Sequence, residues 1–224
     1  SQIYRWHASH GAIFIERSDA VFVDCYGESG DEVSAARSLG ICDLSLLPRH
    51  GLTGAGAESW LLAHGYETPQ RPNTAVTQSN GDLLARMSAE EYLCLRLSDL
   101  ADSARAGQSD WSGDDDGNFY PVPRADSHCL FAVTGSSAAT LFSTLCAVDL
   151  RPHNFANGRV AQTSVARVNA IVIRHDLQRT QNFYVLAATS AAEYLWECLL
   201  EAMGEFGGEP IGIAALQVTA GTQS

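Results

Sequence analysis

The feature that most constrains this chain is a supersecondary unit used twice. His50-Gly51-Leu52-Thr53-Gly54-Ala55-Gly56-Ala57-Glu58-Ser59-Trp60-Leu61 reads as a strand, a Thr-Gly turn and a helix. Phe131-Ala132-Val133-Thr134-Gly135-Ser136-Ser137-Ala138-Ala139-Thr140-Leu141-Phe142 reads the same way. Pro72-Asn73-Thr74 follows the first copy and Pro152-His153-Asn154 the second, and Ala-Arg flanks a later strand in each (Ala85-Arg86-Met87, Ala166-Arg167-Val168). The turn has a local reason. Gly54 and Gly135 let the backbone swing out of a strand, and Thr53 and Thr134 are placed to cap the helix that follows. Two such units predict an α+β fold, a pseudo-symmetric pair of strand–helix–strand units forming mainly antiparallel sheets with helices packed on one side.

The remaining segments fit around these units. Residues 11–26 read as a hairpin turning at Arg17-Ser18-Asp19, and 31–37 as a short helix. Ile41–Ser45, Leu83–Met87, Tyr92–Leu97, Val168–Arg174 and Asn182–Ala187 read as strands. Ser190 to Phe206 reads as an amphipathic helix capped by Ser190, with Glu193 in its first turn. The predicted organisation is a first half over 1–100, an acidic polar linker over 101–127, a second half over 128–216 and a frayed tail over 217–224. The run Ser112-Gly113-Asp114-Asp115-Asp116-Gly117 lacks the ligand spacing of a calcium loop.

The 224 residues, 46% of them hydrophobic, suffice for a substantial core. A net charge of −12 opposes binding to nucleic acid or an anionic membrane surface. No apolar run approaches the ~18 residues of a membrane span, and Ser1–His7 has no signal-like apolar stretch. The expected location is therefore cytoplasmic. The six cysteines are scattered without a C-x-x-C pair, which points to reduced thiols. His7 and His10 are three apart but have no third metal ligand nearby. Phosphate-loop, dinucleotide and G-x-S-x-G motifs are missing, so no catalytic residue is assigned.

The densest polar segment is 149–167. It contains Asp149, Arg151, Arg159, Gln162, Thr163 and Arg167 among turn-forming residues, an arrangement suited to a partner interface or a small polar ligand. A purely structural reading has Asp149 and Arg159 tying the loop to itself, with Gln162 and Thr163 satisfying buried backbone groups.

At this segment the sequence resembles a known family. Asp149-Leu150-x-Pro152-x-x-Phe155-x-x-Gly158-Arg159-x-Ala161-Gln162-Thr163, then Ala166-Arg167, is similar to the gamma subunits of heterotetrameric sarcosine oxidases. Pro72-Asn73-Thr74, Ser190-x-x-x-Tyr194-Leu195-Trp196 and Glu205-Phe206 add to the likeness. Ile41-Cys42-Asp43-Leu44-Ser45, Leu52-Thr53-Gly54-x-x-Ala57 and Glu209-Pro210-Ile211-Gly212 resemble the wider folate-binding aminomethyltransferases.

The resemblance implies an aminomethyltransferase-like core. It also implies an accessory role beside larger flavin- and folate-binding subunits that carry FAD, FMN, NAD and tetrahydrofolate, with none of these cofactors on this chain. The transferases' Gly-Gly-x-x-Asp-Asp and Gly-Tyr-Thr-Gly-Glu segments are replaced by Gly81–Arg86 and His175–Gln181, so no folate or catalytic group transfers to a position here. A free-standing tetrahydrofolate-binding protein or aminomethyltransferase is the alternative, and it would need Asp82 or Glu209 to hold a pterin.

Overall fold

The computed structural model describes residues 1–17, 20–27, 32–100, 111 and 118–221. The chain opens with α1 (Tyr4–Ser9), the hairpin β1 (Ala12–Arg17) and β2 (Ala20–Tyr26), α2 (Glu32–Ser38) and β3 (Gly40–Asp43). The first unit is β4 (Arg49–Thr53), α3 (Ala57–Ala63), β5 (Thr74–Thr77), β6 (Leu83–Arg86) and β7 (Glu91–Leu95). After β8 (Tyr120–Pro123) comes the second unit, β9 (His128–Thr134), α4 (Ala138–Leu145), β10 (Val160–Val165), β11 (Val168–Arg174) and β12 (Asn182–Ala188). Helix α5 (Ala192–Gly204), the short β13 (Glu209–Pro210) and α6 (Ile213–Ala220) follow.

The two units build two sheets by the same path. One sheet has the order β5-β6-β7-β4-β8 and the other β10-β11-β12-β9-β3-β13, antiparallel except where β13 joins β3. The fifth strand is exchanged in each. β3 precedes β4 in the chain yet pairs with β9, and β8 precedes β9 yet pairs with β4.

The Thr-Gly turns sit where the exchanged strands enter. Gly54 has φ 131° and Gly135 φ 115°, conformations that L side chains rarely adopt. A β-carbon on Gly54 would stand 2.5 Å from the Asn118 carbonyl oxygen, just before β8, and one on Gly135 2.7 Å from the Leu39 nitrogen, just before β3. Capping by the threonines is corrected. Gly56 and Ser137 are the residues that precede α3 and α4, and the Thr134 hydroxyl donates instead to the Gln181 carbonyl at 3.1 Å.

The Ala-Arg landmarks also prove inequivalent. Asn73 N–H donates to the Arg86 carbonyl as Gly158 N–H donates to that of Arg174, so Arg86 matches Arg174. Ala166 and Arg167 form the tight β10–β11 turn, both with positive φ.

Alternation along β9 separates two cores. Cys129, Phe131 and Val133 face α4 and α5 (Phe142, Leu195, Trp196, Leu199), whereas Leu130 and Ala132 pack with Ala85, Leu93 and Leu95 of the other sheet. The five-stranded sheet turns Leu52, Leu84, Tyr92 and Cys94 toward Ala57 and Leu61 of α3. The layers are therefore helix, sheet, sheet, helix, with Ala36 of α2 and Leu216 of α6 entering the middle one. Each fully buried Leu or Phe contributes about 1.5–3 kcal/mol to this packing.

Three more expectations change. The polar linker is cut short, because 120–123 form β8, and Trp111 and Phe119 are buried beside α3. The Asp114–Asp116 run and the 18–19 turn lie outside the described residues. The tail is not frayed from Gln217, since α6 continues to Ala220 with Thr219 buried. Ser190 lies in a 3-10 turn and does not cap α5, which is preceded by Ala191.

Candidate functional site

The 149–167 segment divides into three places. At the first, Asp149 accepts from Arg151 Nε and Nη2, each at 2.8 Å, and from the Asn154 amide. The Arg151 side chain thus holds the Asp149 carboxyl well below its ordinary value. Both residues are open to solvent, and such a pair adds little to stability. Arg159 is not its partner, which replaces the Asp149–Arg159 closure read from the sequence.

The second place is the seam between the two units, where Thr74 and Arg159 face each other in an antiparallel bridge. Residues 160–165 are strand β10 rather than loop. From it the Gln162 amide donates to Asn73 Oδ1 at 3.0 Å and to the Met87 carbonyl at 2.7 Å, both in the first unit. Gln162 thereby satisfies backbone across the seam. Thr163 points to the other face of β10, with its hydroxyl 3.8 Å from Cys146 Sγ. Arg167 is the third place. It is exposed in the β10–β11 turn at the far end of the strand, apart from Arg159.

A cavity of about 270 Å³ lies between the β5–β6 turn, the turn after β7, the β11–β12 connection and α6. Leu97, Leu100, Leu177, Leu216 and Ala220 supply its apolar wall, and Asn80, Ser98, His175, Tyr184 and Gln217 its polar groups. The His175 ring lies nearly parallel to that of Tyr184, and burial lowers its pKa, keeping it neutral. Among the described residues no carboxylate lines this cavity.

Asp82 is adjacent but committed elsewhere. It accepts from the Ser98 hydroxyl at 2.7 Å and from Asn80 at 2.8 Å, and lies 3.4 Å from Arg96. Glu209 is exposed on β13. A pterin presents adjacent N–H donors that need a carboxylate acceptor, so the described lining does not fit one.

The sequence reading missed a second polar cluster. His7 Nε2 stands 3.0 Å from Asp43 Oδ2, and the Tyr26 hydroxyl 2.6 Å from His7 Nδ1. With the ring proton on Nε2, His7 donates to Asp43 and accepts from Tyr26. Burial alone would raise the Asp43 carboxyl, but hydrogen bonds from His7, Ser1 and Ser45 outweigh it and lower the pKa. The cluster fastens α1 and the hairpin to β3. The available signal was Asp43, an acid set in the apolar strand Ile41-Cys42-Asp43-Leu44.

All six cysteines are free thiols, and no group of metal-ligating side chains occurs among the described residues. No helix among them is long and apolar enough to cross a membrane.

The duplicated sheets, their exchanged strands and the helices outside them define an aminomethyltransferase-like α+β protein. The chain belongs to the GCVT N-terminal domain family, whose model matches residues 81–220. It is 24% identical over 182 residues to the sarcosine oxidase subunit gamma of Corynebacterium sp. (strain P-1), covering 80% of this chain and 82% of that one.

Two solved structures share the fold. One is the heterotetrameric sarcosine oxidase from Corynebacterium sp. U-96 in complex with pyrrole 2-carboxylate. A chain of it matches with a TM-score of 0.64 at 17% identity, over 93% of this chain and 96% of that one. The other is the glycine cleavage system aminomethyltransferase T from Bartonella henselae, with a TM-score of 0.71 at 16% identity, over 98% of this chain and 61% of that one. The resemblance read from the sequence thus holds for family and fold.

Proposed function

We propose that this chain is the gamma-type accessory subunit of a sarcosine oxidase-like complex. The complex oxidatively demethylates an N-methyl amine and passes the one-carbon unit to tetrahydrofolate. Larger partner subunits carry FAD, FMN, NAD and the folate site, and this chain carries none of them. It works in the cytoplasm as a structural partner. The observation that carries this reading is the nearly end-to-end correspondence, 93% against 96%, with one chain of a heterotetrameric sarcosine oxidase. The cavity agrees with it, because Asp82 is occupied by Arg96, Ser98 and Asn80.

Purification of the chain from its native host tests the reading. Flavin-bearing larger subunits should accompany it, and the complex should oxidise an N-methyl amine. A chain that purifies alone and binds tetrahydrofolate by calorimetry would establish the free-standing folate protein instead.

A further inference from the structure

Among the described residues, the seam between the two units carries two arginines, Arg71 and Arg159, with no counter-ion. This matters in a chain with 26 acids against 14 basic residues, all of them arginine. Five other arginines meet carboxylates: Arg86 with Glu58, Arg96 with Asp82 and Asp99, Arg124 with Glu91, Arg151 with Asp149, and Arg174 with Asp176. Arg71 and Arg159 are exposed, and among the described residues no acid pairs with either.

The backbone brings these two together and fixes them. Thr74 faces Arg159 across the bridge, with Ala75 N–H donating to the Gly158 carbonyl at 2.7 Å and Val160 N–H to that of Asn73 at 2.9 Å. The Thr74 hydroxyl closes the preceding turn on the Arg71 carbonyl at 2.6 Å. Gln162 braces Asn73 from the next position along β10. Gln162 also lines a shallow depression of about 350 Å³, with Ile171 and Leu186 in its wall and His128 and Asn169 around it. Arg71 and Arg159 thus stand on neighbouring backbone at the seam, and the lining of that depression contains neither.

We propose that this seam docks an acidic segment of a larger subunit, whose carboxylates pair with Arg71 and Arg159. The inference rests on the accessory-subunit reading. Guanidinium groups suit the role because they pair with carboxylates in a planar, two-pronged geometry. On a chain of net charge −12 a local cationic edge also orients the approach of an acidic partner, which makes association salt-dependent.

The test is calorimetric titration of the purified larger subunits with the wild-type chain and with R71E/R159E, at low and high salt. The double variant should bind on the order of tenfold or more weakly, with a flatter salt dependence and an unchanged thermal midpoint. R71Q/R159Q replaces it if the charge reversal prevents folding. Equal binding by wild type and variant overturns the docking proposal alone. A wild-type chain that does not bind at all overturns the accessory-subunit reading, and the docking surface with it. A lower thermal midpoint with unchanged assembly would place the two arginines in the chain's own fold and also overturn the proposal.

Discussion

Gly135 is held against Ser38, the backbone of one unit's turn resting on the residue that leads into the strand it receives from the other. A β-carbon there would meet the Ser38 carbonyl group and stand 2.7 Å from the Leu39 nitrogen, at a φ of 115°. Gly54 makes the same approach to Asn118 and Phe119.

Alanine at either position should therefore cost more than conformational strain. Gly135→Ala and Gly54→Ala are each expected to lose about 3 kcal/mol or more of unfolding free energy. Gly65→Ala, with φ 81° but nothing within 4 Å, should lose only about 1 kcal/mol. Urea denaturation of the three variants checks this, and equal losses would refute the packing account.

Arg49 is buried and donates to the carbonyls of Ser45, Leu47, Arg124, Ala125 and His128, tying β4 to the chain entering β9. Burial lowers its pKa to about 10, so it stays charged at neutral pH. Arg49→Met should lose about 3 kcal/mol or more, because the carbonyls are left unpaired in the interior. Arg49→Lys should restore only part of this, since an ammonium has three donors where the guanidinium has five. Thermal and chemical denaturation measure both.

Stability should fall as pH drops below about 6.5. Burial lowers the imidazole pKa of His50, His128 and His175. In the window below the ordinary histidine value the unfolded chain takes up protons that the folded chain refuses. The slope is at most about 1.4 kcal/mol per pH unit for each group. Replacing His128 with Gln should flatten the thermal midpoint against pH between about 6.5 and 5. An unchanged profile in that variant would remove His128 from the account.

Asp43 acts at more acidic pH. Its folded-state pKa is depressed, so its contribution is present above the usual carboxylate value and is lost as pH falls below about 4. Asp43→Asn should destabilise the protein at pH 7 by roughly 1–3 kcal/mol, because the amide keeps only one of the two acceptor oxygens that serve His7, Ser1 and Ser45 and loses the charge, and the gap from wild type should narrow toward pH 3. Acid titration of the two proteins by circular dichroism decides it.

Local rules made the two Thr-Gly units legible, because a left-handed turn between strand and helix requires glycine. They failed for β10 and β8. Gln162, Thr163 and Ser164 are polar residues of an edge strand with only partial burial, so they carry no apolar alternation. Tyr120-Pro121-Val122-Pro123 reads as loop, yet an edge strand tolerates prolines that a central one would not. The Asp149 partner was misjudged because a nearest-neighbour pair with Arg151 competes with a contact ten residues away. Gln162 was identified from the sequence, but its acceptors Asn73 and Met87 belong to the other unit, and no spacing along one chain reveals them.

The exchange of β3 and β8 makes the fold an interlock. Each sheet is completed by a strand that the chain supplies just before beginning the opposite sheet, so neither half owns all the parts of a closed layer. A single cleavage between residues 101 and 110 would leave two fragments, each holding a strand that the other lacks. Their separation would strip a partner strand from both β4 and β9 at once. In covalent terms the molecule is one chain, and in mechanical terms it is a dimer whose protomers have clasped hands.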